Sequence, residues 1–132
     1  MTGTGNIDME AIRLMVAKKD MTTVLMSFEN NQQSATKIWF PVRSRINKIR
    51  GIAMKAIAAT DNGTITGANS TGSSANGVIT CTASDAINTE YSCTPTTNNI
   101  VEADGWYKLT SLKTTPGGLV QCTIEYEKLN FG

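Results

Sequence analysis

Leu119-Val120-Gln121-Cys122-Thr123-Ile124-Glu125-Tyr126-Glu127-Lys128 is the stretch that orders the rest of the chain. On an extended backbone successive side chains point to opposite faces. Val120, Cys122, Ile124 and Tyr126 therefore share one face, and Gln121, Thr123, Glu125 and Glu127 share the other. An apolar row backed by a polar row at period two is a strand with one side on a core and one side in water. Pro116-Gly117-Gly118 punctuates its start.

Working back from this strand, the same texture recurs in short pieces. Strands are expected at Thr22 to Phe28, at Thr36 to Val42, from Arg45 to Ala59, at Thr64 to Thr66, at Val78 to Thr82, around Tyr91, at Asn99 to Val101 and at Trp106 to Thr110. In the second, Ile38, Phe40 and Val42 alternate with Lys37 and Trp39. In the third, Gly51 marks a bulge or bend. Ile52 to Ala59 also admits a helix, since Ala, Met and Lys are good helix formers, and the strand reading is preferred. Asp61-Asn62-Gly63 reads as a hairpin turn between Ala59 and Thr64. Gly67 to Gly77, almost all Gly, Ala, Ser, Thr and Asn, reads as an exposed loop. Turn-bounded strands without alternating helices predict an all-β fold, an antiparallel β-sandwich or jelly roll.

The first twenty residues have a different pattern. Asp8 is placed to cap a short helix that ends at Lys18 and Lys19, with Met9, Ile12, Met15 and Val16 as its apolar stripe. The expected organisation is an N-terminal arm over 1–20 and one sandwich domain over 21–132. The arm either packs on its own domain or docks on a neighbour. All six methionines lie in the first 54 residues; this adaptable side chain favours the N-terminal part as an interface, with core filling as the other reading.

At 132 residues with 40% hydrophobic and 17% charged content, the chain has material for one core. Its net charge of +1 gives no global field to draw in nucleic acid, an anionic membrane or an acidic substrate. The charge is uneven, for residues 1–60 hold nine of the 12 Lys/Arg and only four of the 11 Asp/Glu. No apolar run reaches the roughly 20 residues of a membrane helix, and no basic, apolar and cleavable leader opens the sequence. The chain is expected to be soluble and unexported. Cys81, Cys93 and Cys122 are an odd set: Cys81 and Cys93 have the option of pairing, and buried free thiols are the preferred reading.

The search for chemistry points away from catalysis. The chain has no histidine, which removes the usual general base and imidazole zinc sites. The cysteines have no Cys-x-x-Cys spacing. Glu125 with Glu127, and Glu102 with Asp104, are spaced to share a proton, but beside an apolar row they read as the wet side of a sheet. Gly3-Thr4-Gly5 lacks the strand and lysine of a phosphate loop, and Asp61-Asn62-Gly63 lacks the further acids of a calcium site. No enzyme activity, cofactor or metal is expected. The concentrated basic element is Arg43, Arg45, Lys48 and Arg50, near Trp39. On a strand, Arg43 and Arg45 share a face able to meet phosphate or an acidic protein; a protein partner is preferred to nucleic acid, and a plain solvated face is the other reading, to which the largest weight goes.

Three stretches carry a family likeness: Ala58-Ala59-Thr60-Asp61-Asn62-Gly63-Thr64-Ile65-Thr66, Cys93-Thr94-Pro95-Thr96-Thr97-Asn98-Asn99-Ile100-Val101, and Val120 to Glu127. Ile52 to Glu127 resembles the small β-sandwich decoration, or cement, proteins of tailed-phage capsids. The resemblance implies a jelly-roll-like fold, a homotrimer or other small oligomer, and attachment to the outer lattice of the major capsid protein, in a virion protein made in the host cytoplasm. With the chain's charge and hydropathy, no nucleic-acid or membrane partner is expected. Residues 1–50 lie outside the resemblance; Met9, Ile12, Met15, Val16, Trp39, Arg43, Arg45, Lys48 and Arg50 are the expected contacts. A tail, baseplate or head-fibre subunit is the alternative of the same class. A carbohydrate-binding module is the alternative of another class, with Trp39, Tyr91, Trp106 and Tyr107 as its aromatics; it loses its platform if Trp106 is buried against the opposite sheet.

Overall fold

The computed structural model describes residues 19–29, 34–70 and 76–129. Nine strands occur among them: β1 (Lys19–Ser27), β2 (Ser34–Phe40), β3 (Ser44–Lys55), β4 (Gly63–Asn69), β5 (Gly77–Cys81), β6 (Glu90–Cys93), β7 (Ile100–Val101), β8 (Gly105–Leu112) and β9 (Leu119–Lys128). The expected helix falls on residues outside the described ones, apart from Lys19, which opens β1.

The strands form two antiparallel sheets. One runs β1-β9-β3-β6, with β7 also on β3, and the other runs β2-β8-β4-β5. The first half of the chain pairs with the second half in reverse order, β1 with β9, β2 with β8, β3 with β6 and β7, and β4 with β5. A long hairpin rolled into two layers in this way is a jelly roll, as the sequence predicted.

The alternation of β9 works as expected. Val120, Cys122 and Ile124 are fully buried, and across the ladders Met26 faces Val120, Val24 faces Cys122 and Ile49 faces Ile124. The other sheet contributes Phe40, Ile65, Ile79, Cys81, Tyr107 and Leu109 to the same core. Phe40 and Tyr126 meet edge to face across the layers, with ring centroids 4.9 Å apart. Burying these side chains supplies the bulk of the driving force, at roughly 25 cal/mol per Å² of apolar surface removed from water.

Three expectations about glycine-bearing segments are corrected. Asp61-Asn62-Gly63 is no hairpin turn, because β3 and β4 belong to different sheets and the connection crosses between layers. Gly63 is needed for space: a Cβ there would lie 2.7 Å from the ring of Phe28. The register of β3 runs unbroken through Gly51, whose missing side chain is replaced by Val120, and the shifts fall at Ile46/Lys48 and Ala53/Lys55. Gly67, expected in a loop, is a buried residue of β4 against Tyr107.

Side-chain hydrogen bonds tie the connections down. The fully buried Lys113 donates to the Asp61 carbonyl at 2.6 Å and to Asp61 Oδ1 at 3.0 Å. The amides of Thr114 and Thr115 donate to the same carboxylate. The Lys113 ammonium, followed by these amides, holds the Asp61 carboxyl well below the usual carboxylate range despite opposing desolvation. Asn99 Nδ2 donates to the Ile46 carbonyl, which pins the β6–β7 connection, and Asn69 Nδ2 donates to the Ile100 carbonyl, which holds β7.

Candidate functional site

The outer faces of the two sheets are the surfaces available for function, and they differ in charge. On the β1-β9-β3-β6 sheet, Arg45 is registered with Glu127, Lys48 with Glu125 and Arg50 with Thr123. Strict alternation would send Arg45 and Arg50, five apart, to opposite faces. The register shift between Ile46 and Lys48 puts both outside. Arg45 Nη1 then pairs with Glu127 Oε1 at 2.6 Å and Arg50 Nε pairs with Glu125 Oε2. Arg43, in the connection between β2 and β3 and not on a strand, pairs with Glu102 at 3.2 Å. Exposed pairs of this kind contribute about 0–1 kcal/mol each to stability, but they cancel much of the field that the basic run suggested. Lys48 has no carboxylate partner among the described residues. Glu125 and Glu127 are on the wet side of the sheet, as expected, and line an open depression of about 400 Å³ with Lys19, Asp20, Met21, Asn47 and Tyr126. Beside these charges Met21 is 64% exposed and Leu25 59%.

Trp39 is not near this basic element. The chain crosses from one layer to the other at 41–43, so Trp39 points outward from the β2-β8-β4-β5 sheet, on the opposite side of the sandwich. Trp39 and the basic residues of β3 therefore belong to different sheets and do not share a strand face. Met9, Ile12, Met15 and Val16 lie outside the described residues.

The outer face around Trp39 has its own order. β2 and β8 place Trp39 directly opposite Trp106, and Lys37 directly opposite Lys108. Trp39 is 66% exposed and Trp106 half-buried, while Ile38 and Tyr107 between them turn to the core. Trp106 is thus not buried against the opposite sheet. The Lys37 ammonium sits 4.6 Å from the centre of the Trp106 ring and that of Lys108 5.9 Å, within the range of a cation–π attraction. Trp39, Phe40, Pro41 and Asp104 border a wide shallow depression. One strand further in, Ala68 lies beside Lys108 and Thr66 beside Thr110. Tyr91 and Tyr107 take no part, since both pack on the core.

Lys37 and Lys108 were not among the expected contacts. The alternation of β2 placed Lys37 on the Trp39 side, but the pairing that brings Lys108 and Trp106 opposite them is tertiary information. The three cysteines are free, Cys81 and Cys122 buried and Cys93 half-buried. Burial pushes the Cys81 and Cys122 thiols up to about 12 and also raises Cys93. No group of three His, Cys, Asp or Glu positioned for a metal occurs among the described residues. No helix among them is long and apolar enough to cross a membrane.

No family model matches the chain, and no curated protein does. Solved structures of similar architecture exist. A chain from Bacillus endospore appendages, described as a family of disulfide-linked pili, is 13% identical over 85% of this chain and 88% of that one, with a TM-score of 0.49. A chain of the cyanophage Pam1 capsid asymmetric unit is 12% identical over 84% of each, with a TM-score of 0.48. The module CsCBM6-3 from Clostridium stercorarium, solved in complex with cellobiose, is 11% identical over 84% of this chain and 81% of that one, with a TM-score of 0.41.

Proposed function

We propose that the chain is a non-enzymatic structural subunit of a virion, a decoration or cement protein that binds the outer lattice of the major capsid protein as a small oligomer, a trimer being favoured. The observation that carries this reading is the outer face of the β1-β9-β3-β6 sheet, where exposed Met21 and Leu25 stand beside the charge pairs Arg45–Glu127 and Arg50–Glu125. Apolar side chains among charges that are already partnered suit a protein interface, because covering them strands few unpaired ions. The likeness of Ile52 to Glu127 to capsid decoration proteins supports the same reading. Repetition over a symmetric lattice multiplies each modest contact.

The test is co-sedimentation of the full chain with capsids stripped of accessory proteins. Saturable binding that is lost in a folded Met21→Glu/Leu25→Glu variant supports docking through this face. Binding retained by that variant but lost on removing residues 1–18 moves the attachment to the arm. Absence of binding by the unaltered chain refutes the capsid reading.

A carbohydrate-binding module is the second reading, favoured by the exposure of Trp39 and Trp106 side by side on the other sheet. Aromatic faces on a flat sheet suit sugar rings, whose apolar C–H surfaces stack on them.

A further inference from the structure

We propose that the outer face of the β2-β8-β4-β5 sheet binds an acidic polysaccharide, a uronate- or sulfate-bearing glycan, with Trp39 as its stacking platform and Lys37 and Lys108 as its anion contacts. The inference deepens the sugar-platform reading and rests on it, and is independent of how the chain meets a capsid.

Charge complementarity carries the argument. Arg43, Arg45, Arg50 and Lys113 each have a carboxylate of this same chain. Lys37 and Lys108, like Lys19, Lys48, Lys55 and Lys128, have none among the described residues, but of these only Lys37 and Lys108 are set directly opposite one another, by β2 and β8. Like charges at such a cross-strand position repel and cost stability. The Trp106 ring offsets part of that cost by attracting both ammonium groups, at 4.6 and 5.9 Å. Two positive charges are thereby gathered over one ring, and an incoming anion relieves their repulsion.

The rest of the face selects among anions. Lys37 occupies the Trp106 ring, so the open aromatic surface is Trp39, exposed by 66% and one register step along the same strand pair. A ligand that meets both features alternates an apolar, ring-shaped surface with carboxylate or sulfate at close spacing, as acidic sugars in a chain do. Part-exposed Thr66 and Thr110, registered with each other on β4 and β8, add hydroxyls along the same direction. A protein partner fits less well, for it would dehydrate two lysines that stand one register step from the tryptophan pair, and interface centres are depleted of such charges. A glycan leaves them wet.

Binding is measured on the full chain by affinity electrophoresis and calorimetry against four probes: polygalacturonate, dextran sulfate, neutral dextran and polyglutamate. At least one acidic glycan is expected to bind, with neutral dextran weaker by about tenfold, the scale of two exposed charge contacts. Lys37→Gln/Lys108→Gln and, separately, Trp39→Ala are expected to weaken the acidic glycan by about tenfold each. Lys128→Gln, a charge loss at the far end of β9, is expected to leave binding unchanged. Neutral dextran bound as tightly, and unaffected by the lysine changes, overturns the acidic specificity while the sugar-platform reading survives. Polyglutamate bound as tightly and insensitive to Trp39→Ala overturns the proposal in favour of an acidic protein or simple polyanion. If no glycan binds, the proposal and the sugar reading fail together.

Discussion

Replacing Lys113 by Met keeps most of a buried apolar stem and removes the ammonium that clamps Asp61. The ammonium makes two hydrogen bonds, to the Asp61 carbonyl at 2.6 Å and to Oδ1 at 3.0 Å, from a side chain with no exposed surface. Hydrogen bonds to a charged group contribute about 1.5–3 kcal/mol each, and the substitution recovers part of that by ending the desolvation of the ammonium. Asp61 is left tolerably placed, for its carboxylate is 31% exposed and keeps the amides of Thr114 and Thr115. The net loss for Lys113→Met is about 2 kcal/mol, which lowers the urea midpoint by about 1 M for a domain of this size. The reverse change, Asp61→Asn, strands a buried charge and is expected to cost more. Equilibrium urea unfolding, followed by fluorescence and circular dichroism, reads both. The sign with pH follows from the depressed Asp61 carboxyl, whose main cause is Lys113. A carboxyl with a lowered native pKa stabilises fully above its unfolded value, near about 4, and that contribution is lost as pH falls towards the native value. The gap between the unaltered chain and Lys113→Met should therefore narrow from pH 7 to pH 3. An Asp61→Asn variant milder than Lys113→Met, or unchanged midpoints in both, would refute the clamp.

Two further outcomes are expected. In Gly67→Ala a Cβ would lie 2.1 Å from Tyr107 Oη, a fully buried hydroxyl held by Asn76 at 2.5 Å; the expected loss is about 3 kcal/mol, the upper end of overpacking. Adding Tyr107→Phe to that variant should return part of it, and strict additivity in the double-mutant cycle would show that the contact is not the cause. Cys81 and Cys122, pushed up to about 12 by burial, should resist alkylation in the native chain at pH 8.5 and react in urea; labelling at the rate of a free thiol without denaturant would contradict their place in the core.

The two faces of the molecule show how far the sequence could be read. Alternation in Leu119 to Lys128, and in Ile38 and Phe40 against Lys37 and Trp39, assigned the core side and the wet side of those strands correctly. Period-two alternation is a local property, so it survives without knowledge of partners. The surroundings of the run Arg43 to Arg50 were not legible in the same way. Its pairing with Glu102, Glu125 and Glu127 spans large sequence separations, and its phase depends on a bulge beyond Ile46.

The class of fold, the inward and outward sides of its strands and the absence of histidine chemistry are legible in the bare chain, because composition and periodicity are written residue by residue. That Asp61-Asn62-Gly63 crosses between layers, that Gly63 and Gly67 make room for aromatic rings, and that Lys37, Trp39, Trp106 and Lys108 form one surface emerges from the folded arrangement alone. Those facts depend on which strand lies beside which, and register between distant strands is set by the packing of the whole core.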